Sequence, residues 1–94
     1  MPDEVDVPIP EGAFVAEAHC ATYLLGPADE QGERTVRRTA GGIEKPLGFD
    51  RCKVLTLKLG GLMEYEPAGR KGQIWRSTRV EKVTLGCVPS STAH

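Results

Sequence analysis

The chain has 94 residues, 39% of them hydrophobic but only 5% aromatic, and a formal net charge of −1 at neutral pH. That length gives one domain with an aliphatic core, sufficient for independent folding and too small for a deep catalytic cleft. No apolar run approaches the roughly 18–20 residues of a membrane span, and the 3 cysteines, widely spaced, make a poor disulfide framework.

The near-zero sum conceals a separation of sign. Residues 1–33 hold Asp3, Glu4, Asp6, Glu11, Glu17, Asp29, Glu30 and Glu33 without a single Lys or Arg, whereas all 12 basic residues lie between Arg34 and Lys82. The opening MPDEVDVPIPEG is acidic and Pro-rich, the opposite of a basic and apolar signal peptide, and it predicts a cytoplasmic protein.

Residues 1–12 read as an extended arm: Pro2, Pro8 and Pro10 disfavour helix, while the alternation of Val5, Val7 and Ile9 suits an added edge strand. Residues 13–25, AFVAEAHCATYLL, support two readings. Apolar residues recur at three and four with Gly26-Pro27 as a stop, which suits a short helix. Alternatively, Thr22–Leu25 forms a strand paired with Glu33–Thr39 across a Gly26–Gly32 loop. The strand is favoured, because ERTVRRT needs a partner and makes a poor helix. Residues 40–50, AGGIEKPLGFD, are expected to wrap irregularly around one end of the domain.

From Cys52 to Leu85, short β-favouring runs alternate with Gly and Pro clusters. Leu55, Leu57 and Leu59 are expected on one face of VLTLKL. Met63 and Tyr65 share a face of LMEYE, with Glu64 and Glu66 opposite. Gly60-Gly61 and Ala68–Gly72 supply turns, and Pro67, lacking an N–H, ends its run. Val80, Val83 and Leu85 break strict alternation, as a bulge or a short 3₁₀ turn before the last strand would make them do. The polar tail at 89–94 is expected to be mobile. The predicted architecture is a single all-β domain over 13–88, a small antiparallel barrel of five or six strands (SH3-like or OB-like), with room for one short helix.

Little in the chain suggests chemistry. His19, Cys20, Cys52 and Cys87 have the composition of a structural zinc site, but compact sites use closely spaced pairs, and adjacent residues of a strand point to opposite faces. No metal or other cofactor is expected. The chain has 2 histidines, one of them the terminal His94, and neither has a recognisable spacing to a nucleophile or carboxylate. Ser90 and Ser91 stand in the tail with nothing to orient them, and neither glycine pair carries the Lys-Ser/Thr of a phosphate loop. Glu64 and Glu66 read as solvated charge beside Arg76 or Lys58. Tyr65 and Trp75 are either core anchors or a platform on which bases stack. An enzyme is not expected.

The remaining candidate is the basic cluster Arg34, Arg37, Arg38, Arg70, Lys71, Arg76 and Arg79. It predicts a non-enzymatic binding module whose basic hairpin face contacts nucleic acid or a nucleoprotein. Arg70, Lys71, Arg76 and Arg79 are expected to form one continuous patch. Three other readings of the charge order compete with it. The acidic third could lie against the basic surface and neutralise it, or the arm could mask the site until displaced. Finally, the chain could be a protein-binding inhibitor or adaptor that docks through its acidic arm or an edge strand.

Overall fold

The computed structural model describes residues 4–86, so Cys87 and the predicted tail at 89–94 lie outside the described residues. The described chain is all-β, with no helix: β1 (Val5–Asp6), β2 (Phe14–Ala18), β3 (Thr22–Leu25), β4 (Glu33–Ala40), β5 (Ile43–Glu44), β6 (Arg51–Leu59), β7 (Met63–Pro67), β8 (Trp75–Arg76) and β9 (Val80–Leu85). All pairings are antiparallel, in the order β8-β7-β6-β4-β3-β2-β9, with β1 added to β6 and β5 to β4. The ambiguity at 13–25 therefore resolves as two strands.

A closed barrel of five or six strands is not what forms. Nine strands are present, and among the described residues β8 and β9 end the ladder without pairing with each other. They are consecutive in the chain, however, and Ser77–Arg79 carries it from one ladder end to the other. The Ser77 N–H donates to the Met63 carbonyl at 2.9 Å, and the Met63 N–H donates to Ser77 Oγ at 3.0 Å. The Val80 N–H then reaches the Gly61 carbonyl at 2.7 Å, and the Val80 carbonyl accepts from Gly60 N–H at 2.8 Å.

Alternation builds the core. Phe14 and Ala16 of β2, Leu25 of β3, Val36 of β4, Cys52 and Leu57 of β6, Met63 and Tyr65 of β7, and Val80 of β9 all face inward and are buried. One expected face is wrong. Between Val54 and Thr56 the β6–β7 register slips by one residue, leaving Leu55 without a partner. This bulge turns Leu55 outward, 36% exposed, while Val54 and Leu57 point in. The anticipated irregularity in the last strand is likewise a bulge: Glu17 pairs with Lys82 and Ala18 with Val80, so Glu81 is the extra residue. Residues 40–50 are more regular than expected. Gly41 and Gly42, with φ of 60° and 79°, form a two-residue turn of the I′ kind that joins β4 to β5.

The arm is part of the sheet. Val5 and Asp6 pair with Leu59 and Lys58, and the Val7 N–H donates to the Leu57 carbonyl at 2.9 Å. Farther along, Arg34 clamps it. This guanidinium is 2% exposed and donates to the carbonyls of Pro10 (2.6 Å), Gly12 (3.3 Å) and Gly26 (3.3 Å) while lying 5.1 Å from the Phe14 ring centroid. Burial pulls its pKa below the ordinary guanidinium value.

Candidate nucleic-acid interface

The candidate basic residues reach different surroundings. Arg34 presents no surface, because its side chain is used to hold the arm. Arg37 and Arg38 are neighbours in β4 and so point to opposite sides. Arg37 is exposed and paired with Glu44 across the β4–β5 hairpin, and that contact raises its pKa and lowers the Glu44 pKa. Among the described residues Arg38 makes no such pair. Its Nε donates to the Lys45 carbonyl and its Nη2 to the Pro46 carbonyl, both at 3.2 Å. Carbonyl dipoles orient a guanidinium without cancelling its charge, so Arg38 is fixed and still cationic.

Arg38 lines a cleft of about 360 Å³ with Arg76, Lys45, Tyr23, Cys20, Ala21, Ala40 and Thr78. These residues come from β3 and the turn before it, from the β4–β5 hairpin and its exit, and from β8 and the link that follows. Among the described residues no Asp or Glu lines the cleft. Arg76 is paired with Glu64, its cross-strand partner, at 2.9 Å. The floor is Tyr23, 3% exposed, whose ring stands edge-on to Tyr65 at 5.7 Å.

An aromatic group adjoins Arg76 along the chain, from the opposite side of β8. Trp75 precedes Arg76 in β8 and pairs with Tyr65 of β7. It is half-buried, packed against the core, and meets Phe49 at 83° with ring centroids 5.0 Å apart. Phe49 is also half-buried, and the Arg70 guanidinium lies 5.7 Å from its centroid while donating to the Gly48 carbonyl at 3.4 Å. Trp75 is thus a half-buried residue packed against the core, as the anchor reading expects.

Arg70, Lys71, Arg76 and Arg79, expected to form one patch, have different immediate surroundings. Lys71 instead lines a separate hollow with Lys53 and with the carboxylate-bearing Glu33 and Glu66. Arg79 is exposed, and its carbonyl accepts the His19 N–H at 2.8 Å. What the fold does assemble is Arg38 with Arg76 in one cleft and Arg70 with Phe49 and Trp75 in an aromatic group. Lys45 completes the cleft and was missed by sequence reasoning. The available signal was Gly41-Gly42 between Thr39-Ala40 and Ile43-Glu44, whose tight turn sets residue 45 against residue 38.

The acidic third neutralises the basic part only locally. Among the described residues, Asp29 pairs with Arg51 at 3.0 Å and Glu4 with Lys58 at 4.0 Å. Neither pair touches the cleft. The arm lies along β6, with Glu4 beside Gly61 and Lys58. His19, Cys20 and Cys52 are not gathered: the described residues contain no cluster of His, Cys, Asp and Glu fit for a metal. Cys20 is exposed and Cys52 buried, and burial pushes the Cys52 thiol up to about 12. Comparison of the chain with protein-family models, with curated proteins and with solved structures found no match.

Proposed function

We propose that the protein is a non-enzymatic binding module for single-stranded nucleic acid. The observation that carries the reading is the cleft itself, which Arg38, Lys45 and Arg76 line with no carboxylate among the described residues; the half-buried rings of Trp75 and Phe49 are its aromatic complement. Cations that track phosphates beside rings that accept a base are the two requirements of single-strand binding. Half-buried rings select against a duplex, whose bases are already stacked on one another. The alternative, an inhibitor or adaptor docking through the acidic arm, has less support, because the arm is already paired with β6 and clamped by Arg34.

Fluorescence anisotropy of labelled single- and double-stranded DNA and RNA tests this. Single strands should bind more tightly than duplexes, with a log–log salt slope of about −0.7 for each phosphate contacted. Trp75 emission should be quenched on binding. Lys45→Glu should abolish binding with little change in melting temperature, because Lys45 is exposed, whereas Lys71→Glu should have a small effect. Absence of binding to any strand at low salt ends the reading.

A further inference from the structure

We infer that the Arg38–Lys45–Arg76 cleft is a seat for a terminal phosphate, so that the protein recognises the phosphorylated end of a single strand. This rests on the nucleic-acid reading and adds to it which part of the strand is held. The first support is charge balance. Glu64 already pairs with Arg76, which leaves the charges of Arg38 and Lys45 without a carboxylate in the cleft among the described residues. A phosphodiester inside a strand carries one negative charge, whereas a terminal phosphomonoester carries about −1.5 to −2 near neutral pH. The seat matches the monoester.

The second support is preorganisation. Arg38 is held by two main-chain carbonyls through Nε and Nη2, which leaves Nη1 for a ligand oxygen. A guanidinium fixed before binding loses less side-chain entropy when it engages an anion. Thr78 Oγ1 accepts the Cys20 N–H at 3.1 Å, an arrangement that leaves the hydroxyl hydrogen for donation to a further phosphate oxygen.

The test uses the full chain and labelled oligothymidylates of about eight nucleotides, carrying a 5′-phosphate, a 3′-phosphate or hydroxyls at both ends. One phosphorylated end should bind about tenfold more tightly than the hydroxyl-ended strand, or better. In Arg38→Gln and in Lys45→Gln the ratio of these two affinities should collapse toward one. The exposed Lys45 provides the variant that leaves the hairpin clamp intact, and circular dichroism verifies that both are folded. Bound strand should also protect Cys20 from alkylation. Equal affinity for phosphorylated and hydroxyl ends overturns the seat and leaves the nucleic-acid reading standing. No binding of any strand overturns both. Competition by thymidine 5′-monophosphate as strong as that of the phosphorylated strand would overturn the strand-end assignment in favour of a free nucleotide.

Discussion

Two buried or bonded polar groups make separable predictions at the scale of single residues. Tyr65 is 1% exposed, and among the described residues its hydroxyl meets the geometry of a hydrogen bond with no partner, the Tyr23 side chain being its nearest polar neighbour. Burial accordingly raises its pKa far above the ordinary phenol value. Leaving a donor unmade in the core is costly, so Tyr65→Phe should be neutral or stabilising by up to about 1 kcal/mol in urea unfolding. A loss of more than that would mean the hydroxyl has a partner. Asp29 is the opposite case. Its Oδ1 accepts the N–H groups of Glu33 (2.9 Å) and Gln31 (2.8 Å), and Oδ2 pairs with Arg51. Those main-chain bonds, with Glu33 foremost, hold its pKa below the ordinary carboxylate value. A depressed pKa in the folded state means that the unfolded chain takes the proton first. The stabilisation is therefore complete above about pH 4 and is lost as pH falls through the folded value. Melting temperatures measured from neutral to acid pH should fall less steeply in Asp29→Asn than in the parent chain.

The arm and Arg34 form one unit at the scale of elements. Three of the carbonyls that satisfy this guanidinium belong to Pro10, Gly12 and Gly26, so removing the arm strips two of them from a buried charge. Arg34→Ala and deletion of residues 1–12 should each cost about 2–4 kcal/mol. Because they break the same contacts, the double variant should cost clearly less than the sum, as a double-mutant cycle would measure. Strict additivity would separate the arm from Arg34. The same comparison explains what the sequence makes legible. Strands β3, β4, β6 and β7 are readable from alternation and from glycine pairs, since a period of two needs only local information. The bulge at Leu55 is not readable, because VLTLKL alternates perfectly well in the wrong phase and only the register with β7 selects the right one. Arg34 and Arg38 look alike in ERTVRRT. Which of them is buried depends on carbonyls more than 20 residues earlier and on a hairpin exit, neither of which leaves a local trace. The cleft was therefore half legible: Arg38 and Arg76 were in the candidate set, while their meeting with Lys45 is a product of tertiary structure.

At the scale of the whole molecule, the sheet is assembled from contacts of very different range. The β2–β3, β4–β5 and β6–β7 hairpins are local, whereas Phe14 of β2 lies opposite Leu85 of β9, close to the other end of the described chain. Long-range pairings close large loops and form slowly, so refolding should be dominated by a phase in the millisecond-to-second range that Val83→Ala slows only if β9 docks in the transition state. Truncation after Arg79 removes β9 and should leave a species that aggregates, as light scattering would record. The Ser77–Arg79 link adds a temporal consequence. A chain emerging N-terminus first during synthesis has β2 and β3 in hand long before β9 exists, and the outer edge of β2 stands unpaired through that interval. Unpaired edges are where nascent chains join one another. The protein is thus most vulnerable not when heated but while it is being made, until the residues that follow Ser77 arrive to cover β2.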